Sequence, residues 1–294
     1  MSMQKVFKGY GLTDAAKWSD LSVIEFPSKR WEEADVEIAI THCGHEIAGI
    51  AGDHYPDGVP TMGGYATGII AHEQFVFPIP DELSSEDAAS MLCGGLTVFS
   101  PLIHNGVGPG KKVGIVSIGG LGHYAILFAK ALGAEVYAFS HSSSKAEDAK
   151  KMGADHFIET SLDGFHTAYE MELDLLISTR DVAKDFPLAD FFSVLHPLGK
   201  FVTVGVPNED LPGFSAYPLC VRGISLSGSH VGSKKDALQM FALAAEKNIK
   251  PWIEVLPMKD AKKALFGMWE GRARYRYVLE QDIEVGHSTE NIYG

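Results

Sequence analysis

The stretch Val113-Gly-Ile-Val-Ser-Ile-Gly-Gly-Leu-Gly-His123 decides how this chain folds. Its opening residues, Val113 to Val116, form an apolar β-type run, and a helical stretch from Gly120 to Leu132 follows. Gly119 and Gly122 stand where the strand turns into the helix. Amide N–H groups at such a helix start can face a pyrophosphate. The first glycine expected of the pattern is Ser117 here, and a small residue at that place still permits a tight turn. A Gly-rich turn by itself often serves backbone geometry only. This one gains weight from the second strand beyond the helix, Val136-Tyr-Ala-Phe139.

Outward from that turn the alternation of strand and helix continues toward the C-terminus. A helix is expected over Lys145 to Met152, stopped by Gly153, then strands at His156 to Ile158 and Leu173 to Ile177. A helix ending near Leu195 leads to strands at Phe201 to Val204 and Ile224 to Leu226. Six strands of this kind make an α/β fold with one doubly wound parallel sheet. In the other direction, residues 1 to about 95 mix short β-type runs, Val36 to Ile40 and Phe75 to Phe77, with Gly, Pro, Asp and His clusters. That mixture predicts a small, loop-rich β domain. After a helix over roughly Lys234 to Lys247, the segment Pro251 to Tyr277 predicts a strand, a short helix and a terminal strand, Tyr275 to Leu279, that packs back on the first domain. Gly286 to Gly294 carry no apolar periodicity and are expected to fray. The expected organisation is a dinucleotide-binding domain over 98–247 and a catalytic domain from 1–97 and 248–294.

The end of the second strand chooses between dinucleotides. An acidic side chain there accepts hydrogen bonds from an NAD ribose and repels a 2′-phosphate. Here the run is Ser140-His-Ser-Ser-Ser-Lys145, with no carboxylate before Glu147. Hydroxyls, an imidazole and an ammonium are phosphate ligands, so NADP(H) is the expected cofactor. The alternative is a Ser-rich helix cap in which Ser144 starts the next helix, and one serine is expected to serve that way.

Composition removes several other functions. With 294 residues, 46% of them hydrophobic, the chain has enough apolar material for two ordinary cores. A formal net charge of -13 with no dense Lys/Arg run argues against nucleic acid and anionic membranes as partners. The N-terminus lacks an apolar signal core and no apolar stretch is long enough to span a bilayer, so a cytoplasmic protein is expected. The three cysteines, Cys43, Cys93 and Cys220, form no Cys-x-x-Cys pair. A disulfide framework is not expected, and a four-thiolate structural zinc site within one chain is impossible.

Taken together the motifs resemble the cinnamyl-alcohol-dehydrogenase-like, NADP-dependent branch of the zinc-type medium-chain alcohol dehydrogenases. The resemblance runs from about Gly63 to Leu279 through Met62-Gly-Gly-Tyr-Ala66, Leu92-Cys-Gly-Gly-Leu-Thr97, Gly106-Val-Gly-Pro-Gly-Lys-Lys-Val113, Lys151-Met-Gly-Ala-Asp155 and Arg274-Tyr-Arg276. It implies a Rossmann doubly wound parallel sheet, a β-rich GroES-like catalytic domain, here shortened, NADPH-dependent reduction of aldehydes, and usually a homodimer. It also implies Ser140, His141 and Lys145 at the 2′-phosphate; Ser117, Gly119, Gly120, Leu121, Ser142 and Thr179 are the further residues expected to bind the cofactor. Thr97, Gly205 and Val206 approach the nicotinamide, and Arg276 approaches from the returning tail.

The N-terminal region departs from that family. Ile40-Thr-His-Cys-Gly-His-Glu-Ile-Ala-Gly49 reads as two family segments joined at Gly44, without the stretch that carries a metal-binding cysteine and a proton relay. Ile50-Ala-Gly-Asp-His-Tyr-Pro-Asp57 then passes directly to the Gly-Gly-Tyr motif, where the family inserts its four-cysteine zinc lobe. No structural zinc is therefore expected. A catalytic zinc takes three protein ligands and leaves one open position. His45 and Cys93 match two of them, and the third would be Cys43, Glu46 or a residue that no motif identifies. The balance weighs against a catalytic zinc, with Cys93 read as a buried thiol and His45 as a hydrogen-bonded imidazole; His54 and Tyr55 read as surface residues.

Without zinc a carbonyl is polarised by hydrogen-bond donors, and His45, Tyr65 and His230 are the catalytic candidates. A conjugated carbonyl asks less of its oxygen's partners, so loss of zinc shifts the expectation toward 1,4-reduction. The expected function is an NADPH-dependent reductase of aldehydes or α,β-unsaturated carbonyl compounds. The competing class is a non-redox NADP(H)-binding protein, such as a cyclase, sensor or partner subunit.

Overall fold

The structure, a computed structural model, describes residues 4–11, 20–44, 54–61 and 63–284. The chain divides into two compact units. One comprises Met1–Ile79, Ser84–Ser90 and Ile253–Gly294, the other Pro80–Leu83 and Met91–Trp252. Residues 91–97 and 248–252 fall in the second unit, which therefore extends beyond the expected 98–247 at both edges.

The first unit opens with an antiparallel pair, β1 (Val6–Gly11) and β2 (Ser22–Pro27), whose register sets Phe7 opposite Phe26 with ring centroids 6.1 Å apart. Strand β3 (Asp35–Ala39) pairs antiparallel with β5 (Gly68–His72), while β4 (His42–Gly44) lies between them in sequence. The strand expected at Phe75 to Phe77 does not form. Glu73–Phe75 is a single 3-10 turn, begun by the Gln74 amide donating to His72 Nδ1 at 3.1 Å and closed by Val76 N–H donating to Glu73 O. Pro78 and Pro80 follow and cannot donate to a sheet ladder. Helix α1 (Ser85–Ser90) completes this part.

The second unit follows in chain order: α2 (Leu96–His104), β6 (Lys112–Val116), α3 (Gly120–Ala131), β7 (Glu135–Ser140), α4 (Ala146–Met152) and β8 (His156–Glu159). Then come β9 (Leu173–Ser178), α5 (Leu188–Ser193), β10 (Leu195–Thr203), α6 (Tyr217–Arg222), β11 (Ser225–Gly228) and α7 (Lys234–Glu246). The six strands form one all-parallel sheet in the order β11-β10-β9-β6-β7-β8. The order reverses at β6, so β7 and β9 flank it, and the crevice at their C-terminal ends is where open α/β sheets take ligands.

Side chains alternate across the sheet. Tyr137 and Phe139 of β7 join Phe191 and Phe192 of α5, Phe201 of β10 and Phe186 in one buried cluster, with ring centroids 5.5 Å apart for Phe139 and Phe191. Val136 and Ala138, alternating with them, are equally buried on the other face, where α2, α3 and α7 pack together. Each fully buried aromatic of this kind contributes about 2–3 kcal/mol, so the sheet is held from both faces.

The chain then returns to the first unit through β12 (Ile253–Pro257), α8 (Ala261–Trp269) and β13 (Arg276–Glu280). Strand β13 runs parallel to β12 and antiparallel to β4, with Leu279 opposite Cys43. The terminal strand thus packs on the N-terminal part of the chain, as its apolar pattern suggests. Tyr10, Cys43 and Tyr65 pack against the small core of Met258, Ala261, Ala264, Tyr277 and Leu279 there. No helix among the described residues is long and apolar enough to cross a membrane. Residues 286–294, expected to fray, lie outside the described ones.

Candidate cofactor site

The Gly-rich turn sits between the end of β6 and the start of α3. Ser117 holds a backbone φ of 76°, a left-handed conformation that glycine adopts at least cost. It is pinned there from both neighbouring strands. Its amide donates to Phe139 O at 2.9 Å, and the Thr179 hydroxyl donates to Ser117 O at 3.0 Å. Gly122 packs against the same peptide, since a Cβ on it would lie 2.1 Å from Ser117 O. Gly119 begins the helix in extended conformation with no side-chain cap, and a Cβ on it would meet nothing within 4 Å. The first helical bond runs from the His123 amide to Gly119 O, so the amides of Gly120, Leu121 and Gly122 precede it. Such amides need acceptors from outside the helix, and an anion's oxygens serve.

A cavity of about 230 Å³ opens beside this turn. Its wall from β7 brings Ser140, His141, Ser142, Ser144 and Lys145, and its wall from β9 brings Arg180, with Phe186, Pro187 and Phe191 below. No Asp or Glu lines it. Ser140 is buried, whereas His141 and Ser142 are exposed, and the Lys145 ammonium donates to Ile118 O at 2.5 Å. The expectation that one serine caps the following helix is corrected. Ser142 starts the 3-10 turn Ser143–Lys145 without a side-chain cap bond, Lys145 occupies the N-cap of α4, and the Ser142 and Ser144 hydroxyls bond each other at 2.9 Å. Both hydroxyls line the cavity, paired with each other rather than with a helix end.

A second, open concavity lies at the ends of β10 and β11, lined by Thr203, Gly205, Val206, Ser229 and His230. It brings together two residues expected at the nicotinamide and one expected to be catalytic. Val206 is 79% exposed there. Gly205 packs so closely on the neighbouring loop that a Cβ would lie 2.0 Å from Arg180 O. Thr97 is buried in the first turn of α2, directly after a π-helical turn, Met91–Gly95, that carries an exposed Cys93. The expectation of a buried Cys93 is therefore corrected: the wide turn carries its thiol outward.

The remaining expected residues belong to the first unit. Tyr65 packs against the apolar cluster under β13, and Arg276 is buried at the start of that strand. Cys43 is half-buried on β4 and donates to Gly44 O at 3.4 Å. His45 and Glu46 lie outside the described residues. Among the described residues no group of three His, Cys, Asp or Glu side chains is placed to hold a metal ion. Arg180 escaped the sequence reading. The available signal was its position, two residues past Ser178 at the C-terminal end of an apolar strand in a parallel sheet.

The zinc-binding dehydrogenase family model matches residues 120–246. The chain is 43% identical over 228 residues, 76% of its own length, to NADP-dependent alcohol dehydrogenase 6 of Saccharomyces cerevisiae. It belongs to the zinc-type medium-chain alcohol dehydrogenase family. Within this medium-chain dehydrogenase family it is also 36% identical over 228 residues to a probable cinnamyl alcohol dehydrogenase 3 of Oryza sativa subsp. japonica. The match spans 63% of the yeast protein and 61% of the rice protein, less than two thirds of either. Among solved structures, the cinnamyl alcohol dehydrogenase SbCAD4 of Sorghum bicolor superposes with a TM-score of 0.84 at 26% identity, covering 96% of this chain and 100% of that one. The cinnamyl alcohol dehydrogenase of Helicobacter pylori complexed with NADP(H) gives 0.81 at 25% identity, covering 95% and 99%.

Proposed function

We propose that this protein is an NADPH-dependent reductase of aldehydes or α,β-unsaturated carbonyl compounds. The observation that carries the reading is the cavity beside the Gly-rich turn, where hydroxyls, an imidazole and two cations converge without a carboxylate. A 2′-phosphate gains hydrogen bonds and charge pairing in such surroundings, and an NAD ribose finds no acidic acceptor. The relatives named NADP-dependent alcohol dehydrogenase and vomilenine reductase point the same way.

In this reading the amides of Gly119, Gly120 and Leu121 bind the pyrophosphate, and Thr179 holds the turn in shape through Ser117 O. Ser140, His141, Ser142 and Lys145 hold the 2′-phosphate. Thr97, Gly205 and Val206 line the nicotinamide side, with Arg276 as a further cofactor candidate. NADPH, when bound, supplies the hydride. His230, exposed in the same concavity as Gly205 and Val206, donates a hydrogen bond to the carbonyl oxygen and so favours the charge that develops there. Tyr65 and His45 are the further donor candidates. The described residues assemble no ligand set for zinc. A homodimer, the assembly the resemblance implies, is checked by light scattering on the purified protein.

The decisive experiment is metal analysis of the purified protein together with deuteride transfer from labelled NADPH to an enal. Label in the product of a zinc-free preparation is expected, at the β-carbon if reduction is 1,4. Tight NADPH binding with no transfer to any carbonyl would overturn the reductase reading in favour of a non-redox role. Lys145→Ala is expected to weaken NADPH about tenfold while leaving NADH almost unchanged, in line with loss of one charged phosphate contact.

A further inference from the structure

We infer that Arg180 is a second, preorganised cationic clamp on the cofactor's 2′-phosphate, facing the Ser140–Lys145 wall from the other side of the Gly-rich turn. The inference rests on the NADPH reading above and assigns a specificity-determining residue that the sequence motif does not contain.

The topology supplies the first argument. Strands β7 and β9 flank β6, so the residues just past their C-terminal ends stand on either side of the turn that follows β6. Ser140, Ser142 and Lys145 come from the β7 side and Arg180 from the β9 side, and all of them line one cavity. An anion entering it meets cations from two directions.

The second argument is the state of the guanidinium. The chain carries 38 acidic residues, yet Arg180 forms no ion pair among the described residues and no acid lines its cavity. Its N–H groups are partly used on its own loop: Nε donates to Val182 O at 2.6 Å and Nη2 to Lys184 O at 3.1 Å. The guanidinium carbon also lies 5.5 Å from the centroid of the Phe186 ring. These contacts hold the planar fork in place without neutralising it, and Nη1 donates to no protein acceptor among the described residues. A long side chain already ordered in this way loses less rotamer freedom on binding an anion. The close packing of Gly205 on Arg180 O fixes the backbone from behind.

A purely structural arginine would make the same loop contacts, so the test compares ligands that differ only in the 2′-phosphate. Dissociation constants of NADPH, NADH, adenosine 2′,5′-bisphosphate and adenosine 5′-monophosphate are measured for wild type, Arg180→Gln and Arg180→Lys, with thermal melts of each. Arg180→Gln is expected to weaken NADPH and the bisphosphate about tenfold, the size of one charge-assisted contact, while NADH and the monophosphate change less than about twofold. Arg180→Lys is expected to fall between, because it keeps the charge and loses the fork. Equal weakening of all four ligands would overturn the assignment in favour of a contact to the shared adenosine or a loop-ordering role. Unchanged NADPH affinity in Arg180→Gln would overturn it outright. A wild type that binds NADH as tightly as NADPH would defeat the underlying cofactor reading instead, which keeps the two failures distinct.

Discussion

Ser117 carries its left-handed backbone because the turn after β6 demands it, and a residue with a Cβ at that φ loses about 1–2 kcal/mol relative to its preferred regions. Glycine removes this strain at an entropic cost of about 0.5–1 kcal/mol. Ser117→Gly is therefore expected to stabilise the protein slightly, by less than about 1 kcal/mol in urea denaturation, with NADPH binding retained. The neighbouring glycine has no such latitude. A Cβ at Gly122 would stand 2.1 Å from a backbone oxygen that Thr179 already holds, so neither partner can move cheaply. Gly122→Ala is expected to cost about 2–3 kcal/mol and to weaken dinucleotide binding at least tenfold, read by melting and by fluorescence titration. Both residues were legible in the sequence as parts of one motif. Their different tolerance was not, because it depends on what packs against the turn.

At the scale of elements, α7 shows how one carboxylate joins two helices of the second unit. Asp236 and Ser233 form a reciprocal capping box at its start, and the same carboxylate accepts from Ser100 at 3.5 Å and pairs with His104 of α2 at 3.2 Å. Burial alone would raise its pKa, but the Ser233 amide and hydroxyl together with His104 outweigh it and hold the carboxyl below its ordinary value. A depressed folded-state pKa stabilises the fold above the ordinary carboxylate pKa, and that contribution is lost as the pH falls through the depressed value. Asp236→Ala is expected to cost about 1–2 kcal/mol at neutral pH, with the gap to wild type closing below about pH 4 in denaturant titrations. The central strands β6, β7 and β9 were readable because each is an almost wholly buried, largely apolar run. Strands β1 and β2 were not, since their half-buried pattern of alternating charges and aromatics gains meaning only when Phe7 meets Phe26 across the pair. At Phe75–Phe77 the apolar residues suggested a strand that the Gln74 amide's bond to His72 and the prolines overrode.

On the scale of the whole molecule, the chain divides into two units with separate cores, and the proposed dinucleotide ligands other than Arg276 lie in the second. NADPH is therefore expected to protect the second unit preferentially in hydrogen exchange. At a hundredfold excess over its dissociation constant it should add about 2.7 kcal/mol to that unit's unfolding free energy, provided it binds only the folded form. Uniform protection of both units would contradict the assignment of the ligands. Salt is a second lever: affinity that relies on Lys145 and Arg180 should fall with ionic strength more steeply for NADPH than for NADH, because only the former carries the 2′-phosphate.

What the sequence determined by itself was the doubly wound sheet, the Gly-rich turn and the cationic, acid-free end of the second strand. These are local properties, carried by apolar runs, small residues and charges that are contiguous in the chain. The tertiary structure alone decided how residues far apart in sequence share a wall. It set Arg180 opposite Ser142, gathered His230 with Gly205 and Val206, and placed Cys43 in the packing under β13. Such groupings follow from the parallel strand order, which places the C-terminal ends of β6, β7 and β9 side by side although 24 residues separate the end of β6 from that of β7 and 38 more the end of β9.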